Sequence, residues 1–380
     1  MLCRLMVGIK KFARENIFHI LILVFTGAVV LYQYKIEPLE NERIYLRTIF
    51  PFFREVYDYS FGKLPFAFVY LLFGIVLLWL AKGAFDIVKF VKQRKFVTPI
   101  LRFVSSVCWV YASFYFLWGL NYKNRPLQYQ LNLPNITVDS TMVYEEAAHL
   151  IGVINEMRDS LSSDTCYLDI TLYSPTTEDT IRQSLVSLLE SWYLPHEGRV
   201  RVRTLKPKGI LLRISTAGVY IPYAMEGHID AGLPKLQWPF VMAHEMSHGY
   251  GITDEGECNF VATLACANSS DPYIQYSGLL AYWRYMANSL IRVAPSLGMK
   301  LVKMRSPSVK NDSESIINLL NTYPDIMPKV RDKVYDTYLK SNGVAAGAES
   351  YGTIINLMQR WKASSHNRPL FEKLYGVKEP

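Results

Sequence analysis

The chain has 380 residues, half of them hydrophobic, and a formal net charge of +8. Residues 1–120 carry 15 Lys and Arg against 7 Asp and Glu, whereas residues 121–380 carry 26 of each. A nucleic-acid-binding domain normally carries a basic excess, so the neutral C-terminal two thirds argues against nucleic acid as a partner. The high apolar content instead predicts membrane segments and a lipid bilayer as a partner.

Three apolar runs in the first third approach the roughly 20 residues that an α-helix needs to cross a bilayer. They cover residues 17–34, 65–81 and 100–120. Each run is predicted to be a transmembrane helix, with a buried core helix as the alternative. The first run is long for a signal peptide, and no small-residue cleavage site follows it, so we expect an uncleaved anchor.

The distribution of basic residues indicates an orientation, because cytoplasmic connections between spans are enriched in Lys and Arg. The N-terminal tail is basic, and the connection at residues 82–97 has five basic residues against the single acid Asp86. The first connection balances five basic residues with five acidic ones. The tail and the second connection are therefore predicted in the cytoplasm, and residues 121–380 outside. In a Gram-negative-type cell the outside compartment is the periplasm.

Residues 121–380 are predicted to form a mostly helical α+β domain with a small antiparallel sheet. Apolar residues at helical spacing predict helices, and short runs rich in β-branched and aromatic residues predict strands. The expected helices cover residues 140–161, 180–192, 239–248, 255–267, 274–293, 313–320, 329–339 and 351–361. The expected strands are the runs CYLDITLY, VRVRTL, GILLRIS and GVYIPYA.

The segment HEMSH at residues 244–248 has the HExxH pattern of a metal-binding helix. His244 and His248 are four residues apart, so they face the same side of a helix and can bind one metal ion together. Glu245 lies about 100° around the helix axis, where it can reach a water at the metal. Two helix histidines with ordinary hydrogen-bond partners, beside a surface glutamate, are the alternative interpretation.

Two imidazoles and a carboxylate are typical of a catalytic Zn²⁺ site with one open coordination position. With Glu245 as general base, such a site hydrolyses peptide or amide bonds with a water that the metal activates. The sequence therefore predicts a membrane-anchored zinc metallopeptidase acting on a peptide or protein substrate. A non-catalytic zinc-binding envelope scaffold and a cell-wall peptide amidase are the alternatives, and the oligomeric state stays open.

Three acids after the histidines compete to be the third ligand. HExxHxxGxxD ends at Asp254, as in metzincins, whereas ExxCN from Glu255 to Asn259 looks like the ExxAD or ExxSD of gluzincins. Asp254 and Glu257 have the spacing of a capping box before an apolar helix, which gives both a structural role. Glu255 is therefore predicted to bind the metal, and Asn259, one turn later on the same face, is predicted to support a histidine ligand.

Three further residues are candidate oxyanion stabilisers. They are Tyr276, Tyr351 and His228. Zincin proteases often use a tyrosine or histidine for this purpose. The alternative for each is packing or an ordinary hydrogen bond, because aromatic side chains are mostly packing residues.

Seven short motifs extend over most of the chain. They are WGLNY at 118–122, YIPYAMEG at 220–227, HEMSHGYG at 244–251, EGECNF at 255–260, YSG at 276–278, YLKSNG at 338–343 and SYG at 350–352. Together they resemble an uncharacterised family of bacterial membrane proteins with a zinc-peptidase-like domain. The resemblance implies three N-terminal spans and an HExxH domain of gluzincin type, and it implies no substrate. The spans are then expected in the bacterial cytoplasmic (inner) membrane, with residues 121–380 outside. The family more often has Ala where this chain has Cys258.

Overall fold

A computed structural model describes the chain as a mostly helical α+β protein with one small sheet. The described residues are 16–92, 97–164, 168, 173–326, 333, 337 and 352–364. The helices are α1 (Ile17–Lys35), α2 (Pro38–Asn41), α3 (Phe50–Asp58), α4 (Val69–Lys92), α5 (Val97–Leu117), α6 (Leu127–Gln130), α7 (Ser140–Leu161), α8 (Thr177–Ser191), α9 (Trp238–Gly249), α10 (Glu255–Ala267), α11 (Pro272–Val293), α12 (Pro295–Val302), α13 (Pro307–Asn321) and α14 (Thr353–Lys362). The strands are β1 (Val202–Leu205), β2 (Gly218–Ile221) and β3 (Glu226–Asp230).

Among the described residues, three helices near the N-terminus are long and apolar enough to cross a membrane. They are Ile17–Lys35, Val69–Asp86 and Pro99–Leu117, close to the three predicted runs. Between none and 11% of the residues in these segments are buried by protein. Apolar surface exposed over whole helices is typical of contact with lipid rather than water, so the structure supports membrane association.

Chain contacts divide the protein into two compact units. The first contains residues 1–53, 67–124 and 222–224, and the second contains residues 54–66, 125–221 and 225–380. In the first unit α1 packs along α5. The second unit therefore includes a segment from the connection between the first two apolar helices, far away in sequence from the rest of that unit.

The core of the second unit is built around α10 and α11. The long helix α11 packs against α7, α10 and α12, and α10 also packs against α8, α9 and α14. Nearly all of α10 after Glu257 is buried, which includes Phe260, Leu264 and Cys266. A helix that is apolar around its whole circumference lies inside a protein. Its neighbours fix α10 on all sides and thereby fix the polar residues near its N-terminal end.

The sheet has the order β1-β3-β2, with β3 in the centre. β2 runs antiparallel to β3, with Val219 opposite His228, whereas β1 runs parallel to β3, with Arg203 opposite His228. The small sheet is therefore confirmed, but it is mixed and the expectation of a purely antiparallel meander was wrong. The connection from β1 leads to the far edge of the sheet before the chain returns as the central strand.

The run GILLRIS was expected to be a strand and instead contains a 3₁₀ turn at Leu212–Ile214. The carboxylate of Asp230 accepts hydrogen bonds from the backbone N–H groups of Gly209, Leu211 and Leu212 at 2.7, 2.7 and 3.2 Å. These donors are not available to a neighbouring strand, so the segment coils around the carboxylate. Leu211 and Leu212 of this run are buried, whereas Ile210 and Ile214 are exposed, so the expectation of a strand was wrong here.

Most helices of the second unit lie where their patterns predict them. α7 and α10 have the predicted bounds, and α8, α9, α11 and α14 differ from theirs by a few residues. α13 begins six residues before its predicted start at residue 313. The short helices α6 and α12 and the helices of the first connection, α2 and α3, were not predicted. The expected helix at 329–339 and the strand CYLDITLY fall largely outside the described residues.

Candidate metal centre

The HExxH helix α9 is fixed between the sheet and α10. Pro239 lies in its first turn, where a proline loses no helical hydrogen bond. After the helix, Gly251 has a φ of +94°, which a glycine adopts without strain. Because α9 has the sheet on one side and α10 on the other, its histidines face α10 and Glu245 faces the sheet.

His244, His248 and Glu255 converge at the contact between α9 and α10. One possible ligand atom of each lies within 4.8 Å of the other two. The Oε2 atom of Glu255 is 3.0 Å from Nε2 of His244 and 3.7 Å from Nε2 of His248. Among the described residues, this is the one group of His, Cys, Asp and Glu side chains with the spacing to hold a metal ion. The structure thus brings the three predicted ligands together.

Each histidine ring is oriented by an acceptor at its other nitrogen. Nδ1 of His244 lies 2.9 Å from Oδ1 of Asn259, and Nδ1 of His248 lies 2.9 Å from the carbonyl oxygen of Ile252. An oxygen acceptor at Nδ1 requires the ring proton there, so Nε2 keeps the lone pair that a metal needs. Asn259 therefore lies where the sequence predicts it, in a position to support His244. The backbone carbonyl of Ile252 supports His248 in the same way.

The other two acids of the segment have structural roles. Asp254 caps α10, because its Oδ1 accepts from the N–H of Glu257 at 3.0 Å. Glu257 does not complete the expected capping box, and its Oε1 instead accepts from the N–H of Leu127 at 2.5 Å. Burial raises the pKa of Glu257 to about 8. Neither acid belongs to the cluster formed by Glu255 and the histidines.

Glu245 occupies a cradle on the sheet that two glycines make possible. A Cβ at Gly218 would lie 2.5 Å from Oε1 of Glu245, and a Cβ at Gly227 would lie 2.7 Å from its Cβ. The side chain is 4% exposed, and Oε2 has no hydrogen-bond partner among the described residues. Burial raises the pKa of Glu245 to about 7. The cradle therefore holds a buried carboxylate with one oxygen free for a ligand or a proton.

Two of the three predicted oxyanion stabilisers, Tyr276 and His228, do not join this cluster. The Tyr276 hydroxyl donates to Oδ2 of Asp312 at 2.7 Å, and Arg158 pairs with the same carboxylate at 2.6 Å. The His228 side chain points to the sheet face opposite Gly227, because residues alternate along a strand. It is fully buried there, with Nε2 3.6 Å from Glu226. Tyr276 is committed to another buried network, whereas His228 is buried with neither ring nitrogen in a hydrogen bond among the described residues.

The third candidate, Tyr351, lies outside the described residues. Two residues that sequence reasoning did not assign to the site do touch it. The half-buried Tyr285 of α11 has its hydroxyl 3.3 Å from Oδ1 of Asn259, and Sγ of Cys258 lies 3.3 Å from Nδ1 of His248. No motif marks Tyr285, because its contact arises only from the packing of α11 on α10.

The fold and the site define an α+β protein with three helices that could span a membrane and a candidate metal centre between two helices. The chain belongs to the family described as "Protein of unknown function (DUF3810)", whose family model matches residues 45–359. Membership of an uncharacterised family, expected from the seven motifs, is therefore confirmed. Neither the curated proteins nor the solved structures include a significant match.

Proposed function

We propose that the protein is a membrane-anchored zinc metallopeptidase of gluzincin type, with Glu245 as general base. The observation that carries the proposal is the convergence of His244, His248 and Glu255 beside a buried glutamate on the same helix. The two histidines and the general base then lie on one helix, α9, with Glu255 facing the histidines from the start of α10, and hydrolysis by a metal-activated water requires such a fixed arrangement of ligands and base.

The residues present fit zinc. Two imidazole Nε2 atoms and one carboxylate oxygen form a borderline-soft, three-donor set that leaves a fourth position open. Asn259 and the carbonyl of Ile252 fix both rings with Nε2 towards Glu255. When bound, zinc would polarise the substrate carbonyl and make a water molecule more acidic.

Glu245 would move the proton in this reaction. Its free Oε2 can accept a proton from the attacking water and return it to the departing amide nitrogen. Gly218 and Gly227 let the carboxylate lie against the sheet, and its burial shields it from bulk solvent. β2 is also an edge of the sheet among the described residues, and an edge strand can pair with an extended peptide, which favours a peptide substrate.

A non-catalytic zinc scaffold is the main competing function. A structural zinc site usually fills all four positions with protein ligands. Among the described residues the cluster offers three, and Glu245 has a buried oxygen without a partner. These observations favour an enzyme. A cell-wall peptide amidase would use the same residues, so only the substrate distinguishes it from a protease.

Cleavage assays on the full chain in lipid nanodiscs test the proposal. We expect the zinc-loaded protein to cleave members of a peptide library, a chelator to abolish cleavage, and added zinc to restore it. A parallel reaction with cell-wall muropeptides identifies an amidase if only those are cut. Bound zinc without any chelator-sensitive cleavage of either substrate class would support the scaffold and contradict the peptidase.

We also propose that residues 121–380 lie outside the cytoplasmic membrane of a bacterium, in the periplasm where there is an outer membrane. The basic second connection supports this orientation. Residues 54–66 and 125–221 share a compact unit, which supports placing the first connection and the C-terminal part on the same side of the bilayer. We expect an alkaline phosphatase fusion after Asn121 to be active and one after Lys92 to be inactive; the reverse result would contradict the orientation.

Adding a methyl group beside Glu245 tests the glycine cradle. In Gly218→Ala the new Cβ would overlap the carboxylate, at 2.5 Å from Oε1 and 2.9 Å from Cγ. A displacement of about 1 Å can cost ~100-fold in rate, so we expect kcat to fall by about that factor while zinc content is unchanged. Gly152→Ala in α7 is the matched control, because its Cβ would meet open space. A Gly218→Ala variant with wild-type kcat would show that the cradle does not position Glu245.

A further inference from the structure

Arg54 comes from the connection between the first two apolar helices but is buried in the second compact unit. Its side chain is 1% exposed. On its own helix, α3, it forms a forked ion pair with Asp58, with Nε 2.9 Å from Oδ2. A buried guanidinium needs such a partner, because an uncompensated charge inside a protein is strongly unfavourable.

The remaining donors of Arg54 reach elements of the candidate metal centre. Nη1 donates to the hydroxyl of Tyr220 on β2 at 3.0 Å and to the carbonyl of Gly249 at 3.3 Å. Nη2 donates to the carbonyl of Met225, the residue before β3. One side chain therefore joins β2, the start of β3 and the last residue of α9.

The contact at Gly249 lies directly after the metal-binding sequence. Gly249 follows His248, and its carbonyl is one of those that a helix leaves without an internal partner at its C-terminal end. A cation there also complements the negative end of the helix dipole. Arg54 supplies both the hydrogen bond and the charge at the end of α9.

The contact at Met225 holds an unusual backbone conformation. Met225 has a φ of +42°, which residues other than glycine rarely adopt. Gly198, with a φ of +86°, closes over the ion pair, because a Cβ there would lie 2.5 Å from Oδ2 of Asp58 and 2.9 Å from Cγ of Arg54. The same Asp58 oxygen accepts from the N–H of Arg199 at 2.7 Å. The ion pair is thus built closely into the strands and loops around it.

We propose that Arg54 is a positioning residue for the metal centre: it fixes β2 and the start of β3 against the C-terminal end of α9. The glycines that cradle Glu245, Gly218 and Gly227, lie on these strands, and Glu245 lies on α9. We call Arg54 and its partners Asp58, Tyr220, Met225 and Gly249 the clamp. The clamp therefore sets how Glu245, the proposed general base, lies against the sheet. The prediction for catalytic rate rests on the proposed function, whereas the effect on the strands does not.

A consequence concerns the membrane segment. Arg54 lies between the apolar helices Ile17–Lys35 and Val69–Asp86, so a fragment that begins after the third apolar helix lacks it. The connection between the first two apolar helices then contributes a positioning residue to the metal centre.

Two conservative substitutions test the clamp in the full chain in nanodiscs. Arg54→Lys keeps the charge and loses the planar fork, and Tyr220→Phe removes one acceptor while keeping the ring. Arg158→Lys is the matched control, because Arg158 is an equally buried arginine of the same unit whose partner, Asp312, lies on α13. Amide hydrogen exchange is measured over residues 218–230 and 249–252, together with kcat and KM.

We expect Arg54→Lys to speed exchange in both segments by about tenfold or more and to lower kcat by about 10- to 100-fold. KM and zinc content should stay within threefold of wild type, and Tyr220→Phe should show the same pattern more weakly. Wild-type exchange and kcat in Arg54→Lys would overturn the proposal, as would an equal change in these segments in Arg158→Lys. If the wild type shows no hydrolysis, the proposed function fails, and hydrogen exchange still decides whether the clamp exists.

Discussion

Glu245→Gln is expected to lower kcat/KM by about 10²- to 10⁴-fold, the usual contribution of a general base, without loss of zinc. The amide has the shape of the carboxylate, so it fits the same cradle against Gly218 and Gly227. It cannot accept the proton, however, and Glu245 is not one of the three side chains that converge as ligands. Steady-state kinetics and metal analysis of the same preparation measure the two quantities together.

Glu145→Gln is the matched control for this substitution. Glu145 is exposed on α7, and the change removes the same charge from the same chain. We expect its kcat/KM to equal that of the wild type. A fully active Glu245→Gln protein would contradict the proposed mechanism, and a protein that also loses its zinc would place Glu245 among the ligands.

Glu255→Gln is expected to weaken zinc binding by at least about 100-fold. Removing a residue that only hydrogen-bonds to a metal ligand already lowers metal affinity by about 10- to 100-fold. The Glu255 carboxylate is itself a predicted ligand, at 3.0 Å from Nε2 of His244 and 3.7 Å from Nε2 of His248, so its loss should lower the affinity at least as much. Competition with a chromophoric chelator measures the dissociation constant. The two neighbouring acids, Asp254 and Glu257, provide controls in which a carboxylate close in sequence to Glu255 is replaced by an amide.

Asp254→Asn and Glu257→Gln should bind zinc within threefold of the wild type. Asn is as good a helix cap as Asp, so the contact with the N–H of Glu257 is kept. Glu257 uses its carboxylate to hold the N–H of Leu127. Zinc loss from Asp254→Asn without loss from Glu255→Gln would reverse the assignment in favour of the metzincin pattern.

The parts of the site that the sequence predicts are those that helix geometry places together. A spacing of four residues puts His244 and His248 on one face and puts Asn259 one turn beyond Glu255. These relations depend on α9 and α10 being helices, which their apolar patterns and terminal residues indicate. The choice of Glu255 among three acids also followed from local sequence, because the cap at Asp254 is a contact over three residues.

The parts that the sequence does not predict depend on contacts between distant segments. Arg54 and Gly249 are 195 residues apart in the chain, and no periodicity or motif connects them. The same holds for Tyr285, which reaches Asn259 only because α11 packs on α10. No motif marks Gly218 either, whereas the structure shows that its missing side chain makes room for Glu245.

The sheet shows why a run with the composition of a strand can still form another element. The run GILLRIS has the composition of a strand, but the carboxylate of Asp230 takes three of the backbone donors that a strand would need. A side chain at the end of one strand thus decides the backbone of a segment almost twenty residues earlier. Only the folded chain places Asp230 where this happens.

The central claim is that two histidines and Glu255 hold a metal ion while Glu245 stays unbound beside it. X-ray absorption at the zinc edge of the loaded full-length protein tests it most directly. We predict nitrogen and oxygen neighbours only, at about 2.0–2.2 Å, with the outer scattering of two imidazoles. Cys258 lies close enough to His248, at 3.3 Å from Nδ1, to provide a clear alternative. A sulfur neighbour at about 2.3 Å, or the scattering of fewer than two imidazoles, would contradict the assignment.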